Sequence, residues 1–423
     1  MQERLLHFIW KHQYFDGKDL KSDKGETVQV LNPGHLNHDQ GPDFLDADLL
    51  INNIRWRGHI EIHIKPVYWR QHGHHQDPRY NNVILHVVWE DGEYAVREDG
   101  TKIPSVILQP RTPTRIVQRY HELVNGLPAI PCQAQLASVS GRHVLHALDA
   151  AMRDRYMEKA RSVLKRWHAN GKDWEQTSFE WLARHFGFSI NNEAFETLAA
   201  SVPFKLLSRH RDQIFQLEAI LFGMAGMLNR KHFPDMYYRR LSDEFNFLKY
   251  KYGLRPRMQG PEWKLLRLRP SNFPALRIAQ LAMLIHKTDG KLYDGLSAEK
   301  ILSSQAIRPS DYWRVHYDFG KKRKKEGGTM STRSYRQLLM NTIIPITWAR
   351  TFTRGEYVAM RSVFDLLLRL RAEDNRVVRL WEETGVSMES ALDSQGYLAL
   401  YREKCSRRQC LTCPIGTELL RTA

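Results

Sequence analysis

Apolar and polar residues alternate with a period of two through much of the first hundred positions, and with a period near 3.6 through most of the remaining chain. An apolar stripe at Leu5, Phe8 and Ile9 predicts a short helix within residues 1–12. Strand-like runs come next, at 25–31 (GETVQVL), 46–51 (DADLLI), 54–64 (IRWRGHIEIHI), 81–89 (NNVILHVVW), 93–98 (EYAVRE) and 103–109 (IPSVILQ). The turn formers Asn52-Asn53, Asp91-Gly92 and Asp99-Gly100 punctuate them. A helix, three strands, a polar segment and further strands predict an α/β (α+β) module over residues 1–125, a mixed sheet flanked by helices.

Residues 126–140 read as a linker. From 141 the periodicity turns helical, with long amphipathic segments at 141–171 and 334–352, and 141–423 is expected to form a large all-α domain carrying a C-terminal cysteine motif. Segments 257–263 (RMQGPEW) and 321–334 (KKRKKEGGTMSTRS) read as loops within it, and no internal repeat is visible. At 423 residues the chain exceeds what one core usually supports, and 42% apolar content suffices to bury two or three.

Charge sharpens this division. Residues 1–100 hold 11 Lys and Arg against 16 Asp and Glu, a net of −5, so the chain's total of +16 places +21 on the remainder. A polyanion is the partner such a basic surface attracts most, because neutralised phosphates release counterions, and nucleic acid is the usual one. The first residues, MQERLLHFIWKHQ, lack the pattern of a signal peptide, and the apolar stretch at 219–228 (AILFGMAGML) is about half of the roughly 20 residues needed to cross a bilayer. The expectation is a soluble cytoplasmic protein with no membrane partner; self-association is not legible.

Candidate chemistry concentrates in GPDFLDADLLINNIRWRGHIEIHIK, residues 41–65. Strand alternation sets Glu61, His63 and Lys65 on one face and Ile60, Ile62 and Ile64 on the other. If Asn52-Asn53 closes a hairpin, Asp43 comes to lie across from Glu61. Two converging carboxylates suit a hard cation such as Mg²⁺ or Mn²⁺, which can activate water and offset charge on a phosphate.

Pro42-Asp43 followed by Glu61-Ile62-His63 resembles the PD-(D/E)XK signature of metal-dependent nucleases, over about residues 1–110. The resemblance implies a nuclease-like module, with Asp43 and Glu61 as metal ligands and Glu3 on the first helix as an extra acidic residue. It departs at the lysine position, which holds His63; Lys65, one pleat further on, is the candidate substitute. The whole chain also resembles an uncharacterised bacterial family known as a domain of unknown function, through GPDF, EIH, HGHHQDPRYNNVILHVVW, EAILFGMAGML, RPSNFPALRIAQLA and CLTCPIG.

Histidines crowd the segment after the Glu61 strand. His72, His74, His75, Asp77 and Tyr80 are candidates for auxiliary roles or for ligands of a softer metal, and an exposed polar turn explains the composition equally well. His86, between apolar strand residues, reads as a hydrogen-bonded core histidine. The four cysteines are Cys132 and, in KCSRRQCLTCPIG, Cys405, Cys410 and Cys413. Their scarcity argues against a disulfide framework, while C-x4-C-x2-C-P has the spacing of a thiolate site for [4Fe–4S] or Zn²⁺; free or paired thiols are the third reading. Several PD-(D/E)XK nucleases carry a similar set, with the lone cysteine ahead of the nuclease motif rather than after it. Either metal would clamp the C-terminus to the linker.

In the basic part, the tyrosines and phenylalanines of 231–258 read mainly as core, and Arg267, Arg269 and Arg277 as structural. Lys321, Lys322, Arg323, Lys324 and Lys325 cannot all be buried, so they are expected in an exposed loop that contacts phosphates. The leading expectation is a metal-dependent nuclease acting on DNA or RNA. The alternatives are a non-catalytic nucleic-acid-binding or scaffold protein on a degenerate nuclease fold, and a metal-dependent hydrolase of small phosphorylated substrates using the histidine segment.

Overall fold

A computed structural model describes residues 1–188, 190–230, 232–292, 307–355 and 357–422. The chain divides into two compact units: Met1–Met152 with Asp374–Met388 and Gln395–Ala423, and Arg153–Glu373 with Glu389–Ser394. The boundary expected near residue 140 therefore falls elsewhere, inside a long helix, and the cysteine-bearing C-terminus belongs to the first unit.

The first unit begins with α1 (Glu3–His12), whose Leu5, Leu6, Phe8, Ile9 and Trp10 are buried. Glu3 in its first turn and Lys11 and His12 in its last complement the helix dipole, and Gln13 ends it in the left-handed region. There follow β1 (Val28–Asn32), β2 (His35–Leu36), β3 (Phe44–Ile51), β4 (Ile54–His63), the single turn α2 (Tyr68–Gln71), β5 (Val83–Val88), β6 (Ser105–Ile107), α3 (Thr114–Asn125) and α4 (Gly141–Ala169). The sheet order is β1-β3-β4-β5-β6, with β2 beside β3. β1, β3 and β4 run antiparallel, whereas β4, β5 and β6 are parallel. All six residues of β5 are buried, as expected of an inner parallel strand.

Asn52 and Asn53 both adopt positive φ, 49° and 63°, and close the β3–β4 hairpin as expected. A bulge then decides which side chains meet. Near the turn the register is Ala47↔Gly58, which if continued would set position 43 across from Ile62, on the wrong face. Asp46, at φ 57°, takes up one extra residue, the register becomes Phe44↔Ile60, and Asp43 falls beside Glu61. Residues 93–98 do not form the expected strand: among them only Val96 pairs, in an isolated bridge to Lys102.

The second unit is helical, with α5 (Trp174–Phe186), α6 (Asn192–Ser201), α7 (Phe204–Arg209), α8 (Ile214–Met224), α9 (Met236–Tyr252), α10 (Pro274–Lys287), α11 (Asp311–Val315), α12 (Thr332–Arg354) and α13 (Tyr357–Arg369). The apolar stretch around 219–228 is explained by α8, buried from Leu217 to Met224. No described helix is long and apolar enough to cross a membrane. Arg277 is buried and bonds Gln280 and Asn272, a structural role as expected. Tyr238 and Phe245 are core, while Tyr250 is 93% exposed.

Only the first two residues of the basic run 321–325 depart from the expected exposed loop. Lys321 and Lys322 form β8, which pairs with β7 (His316–Asp318); the Lys321 Nζ lies 3.0 Å from Asp318 Oδ2. Arg323 is half-buried and donates to the carbonyls of His316 and Pro270. A short hairpin can hold a cation run because alternate side chains find carboxylate or carbonyl oxygens; Lys321, Lys322, Lys324 and Lys325 are all exposed. The chain ends with α14 (Arg376–Glu382), α15 (Ala391–Glu403) and α16 (Pro414–Arg421).

Candidate functional site

The inner half of β4, from Gly58 to His63, is covered on both faces. Glu61 is 4% exposed and His63 1%, and both lie in register with β5, Glu61 opposite His86. Burying a carboxylate here requires partners. One Glu61 oxygen, Oε2, accepts from the Asp43 backbone N–H at 3.1 Å, and Asp43 Oδ2 in turn accepts from Ile62 N–H at 3.0 Å. The other oxygen, Oε1, faces His74 Nε2 at 3.1 Å and His63 Nε2 at 3.5 Å.

α1 adds a second set of groups. His7 Nε2 lies 3.3 Å from Asp43 Oδ2 and 4.0 Å from Glu3 Oε1, its neighbour one helical turn back. Glu3, His7 and Asp43 form one group whose donor atoms all lie within 4.8 Å; His63, His72 and His74 form another. Glu61 stands between the two, one oxygen turned to each.

The histidine segment owes its convergence to backbone geometry. His72 closes α2, Gly73 reverses the chain at φ 76°, and His74 opens a 3-10 turn, so the two imidazoles fold back toward β4. Each ring is held by an aromatic neighbour: Tyr80 stacks on His74 at 3.9 Å and Tyr68 on His72 at 5.7 Å. His63 Nδ1 is engaged by His86 Nε2 at 2.9 Å, which leaves Nε2 directed at Glu61.

Electrostatics follow from this crowding. Burial, then the Asp43 charge, pushes the Glu61 carboxyl up to about 9, and Glu3 is raised for the same reasons. Burial, reinforced by the neighbouring imidazoles, lowers His63 to about 2 and His86 to about 3, so both are neutral. Burial would also lower His7, but the Asp43 carboxylate 3.3 Å away and the surrounding carboxylates hold it above the ordinary imidazole value. Carboxyl groups crowded together so that their ionisation is disfavoured, facing imidazoles that burial keeps from protonating, are a donor set whose repulsion a cation would relieve.

Of the expected residues, Asp43, Glu61, His63, Glu3 and His72 come together. Lys65 does not: it lies past the end of β4, exposed, with Nζ 3.9 Å from Glu90 Oε2. Asp77 caps the turn Pro78–Tyr80 and pairs with Arg79, and His75 is outside both groups. His74, one of the crowded candidates, also enters the site, and His7 is the residue that the sequence reading missed. His7 had one signal available, its position one turn after Glu3 on the same helix. Asp46 serves the bulge and Asp48 pairs with Arg55, which accounts for the other two aspartates of the cluster.

Elsewhere in the first unit, Cys132, Cys405, Cys410 and Cys413 are all buried free thiols. Cys132 precedes the 3-10 turn Gln133–Ser138, Cys405 and Cys410 each open a 3-10 turn, and Cys413 caps α16. Burial, then charge on the other thiols, raises Cys132 to about 12 and Cys410 to about 11, although no three of the four sulfurs lie within 4.8 Å of one another. Cys413 accepts from the N–H groups of Gly416 and Ile415, and a Cβ at Gly416 would run into the Cys410 carbonyl. Arg408 ties this segment to the Gly126 carbonyl at 2.8 Å.

A family model described as a protein of unknown function, DUF2851, matches residues 3–376. No curated protein and no solved structure matches the chain.

Proposed function

The chain belongs to the DUF2851 family, and from that premise we propose that it is a metal-dependent nuclease hydrolysing phosphodiester bonds in DNA or RNA, on a PD-(D/E)XK-like first unit. The observation that carries this reading is the pairing of Asp43, just before β3, with Glu61 on the adjacent strand β4, beside Glu3 of α1. The order helix, antiparallel strands, short helix, parallel strand supports it. A bound Mg²⁺ or Mn²⁺ would lower the pKa of a water and offset phosphoryl charge. Asp43 and Glu61 supply the oxygens for it, the Asp43 N–H fixes Glu61, and His7 orients Asp43. The +21 carried by residues 101–423 favours a polyanionic substrate.

The four buried cysteines and the N–H donors to the Cys413 sulfur support a thiolate site, although no three of the sulfurs lie within 4.8 Å of one another, so they would have to draw together on binding a metal. They would hold Zn²⁺ or [4Fe–4S] as a structural clamp.

One observation favours the non-catalytic alternative: the lysine position is a neutral histidine, and Lys65 is occupied with Glu90. The histidine convergence keeps open hydrolysis of small phosphorylated substrates. Cleavage of single- and double-stranded DNA and RNA with Mg²⁺ or Mn²⁺ decides among them. The expected result is cutting that Asp43→Asn lowers about a hundredfold or more with the fold intact. Salt-sensitive binding without cutting would move the assignment to a binding protein, and turnover of mononucleotides alone to the third reading.

A further inference from the structure

Carboxylates alone do not describe the site. The imidazoles of His63, His72 and His74 place ring nitrogens within 4.8 Å of one another, and Glu61 Oε1 lies 3.1 Å from one and 3.5 Å from another. Glu61 is outside that 4.8 Å group, so closing all four around an ion bound at about 2.1 Å needs the exposed His72 ring to move toward Glu61. Each ring is oriented by something other than the shared centre: His86 on His63 Nδ1, Tyr80 on His74, Tyr68 on His72. Ligating histidines are held in this way, the second ring nitrogen or ring face committed elsewhere. His72 is exposed at the rim, which provides an entry path.

We propose that His63, His72, His74 and Glu61 form a transition-metal centre, selective for an imidazole-accepting dication such as Mn²⁺, Fe²⁺ or Zn²⁺ over Mg²⁺. Mg²⁺ demands oxygen ligands and retains its waters, so three nitrogens offer it little. The inference deepens the metal-dependent reading of this site and rests on it for the metal, but not for the reaction.

Mn²⁺ is the probe of choice, because buried thiols do not compete for it as they would for Zn²⁺. Metal-free full-length protein is titrated with Mn²⁺ and followed by electron paramagnetic resonance, with spin-echo detection of coordinated ¹⁴N. The expected result is one tightly bound Mn²⁺ per chain with imidazole nitrogen coupling, undisturbed by millimolar Mg²⁺. His72→Ala and His74→Ala each weaken it about tenfold or more and reduce the nitrogen coupling, while His75→Ala does neither. His72 is exposed, so its variant tests binding without threatening the fold. Mn²⁺ bound without nitrogen coupling, displaced by Mg²⁺, or held equally well by both variants overturns the proposal. Nitrogen-coupled Mn²⁺ without nucleic-acid cleavage leaves the centre standing and removes the nuclease reading; Mg²⁺-supported cleavage without nitrogen coupling does the reverse.

Discussion

His63 and His86 are neutral imidazoles sealed between β4 and β5, with pKa values near 2 and 3 against about 6.5 for an exposed ring. A depressed base contributes stability that is complete above its unfolded pKa and is lost as pH falls. Glu61 acts in the opposite direction: raised to about 9, it costs stability as pH climbs from its unfolded value of 4.5. Between pH 6.5 and 5 these two imidazoles lose stability on acidification while Glu61, Glu3 and His7, all raised, gain it, so the imidazole share is read by difference. Urea midpoints at pH 7 and pH 5 measure it, and His86→Asn should shift the pH dependence toward relatively greater stability at pH 5 than the parent protein shows. At this scale Asp43 and Glu61 were legible because strand alternation and a turn dipeptide are local signals. His74 was not separable from His75 in a run of four polar residues, because only the 3-10 turn after Gly73 determines which ring faces β4.

Among the elements, the β3–β4 hairpin matters most to the site, and its two irregularities do different work. The Asn52-Asn53 turn fixes the outer register, and the Asp46 bulge corrects it by one residue so that Asp43 and Glu61 share a face. The turn is written in the sequence as a dipeptide, whereas no residue type announces the bulge. Gly58 sits where β4 meets the chain before β5: a Cβ there would lie 2.6 Å from the Asn82 carbonyl oxygen. Gly58→Ala is therefore expected to destabilise the first unit by about 1–3 kcal/mol and to lower metal affinity by shifting β4. Chemical denaturation and Mn²⁺ titration of the same variant check both halves. Residues 93–98 show the converse case, since EYAVRE has strand composition but only Val96 finds a bridge partner. The basic hairpin β7–β8 was not legible because Asp318 and the Pro270 carbonyl, which receive Lys321 and Arg323, lie outside the run itself.

At the scale of the whole molecule, the second unit is an insertion: Arg153–Glu373 interrupts a first unit whose parts lie on either side of it in the chain. Cys132 precedes that insertion and Cys405, Cys410 and Cys413 come after it, so a shared metal would close a very long loop and remove much of the entropy of the unfolded chain. Protein prepared without air is expected to contain either one zinc or the iron of one cluster, by elemental analysis and visible absorption. Cys405→Ser should lose that metal and lower the melting temperature of the first unit. The sequence by itself determined the change from strand to helix periodicity, the charge asymmetry, the β3–β4 turn and the identity of the two carboxylates, because each depends on neighbours within a few residues. Only the tertiary structure decided that the C-terminus rejoins the first unit, that Lys65 leaves the site, and that His7 and His74 enter it. Those outcomes depend on register, a bulge and the return of distant chain, which no local pattern encodes.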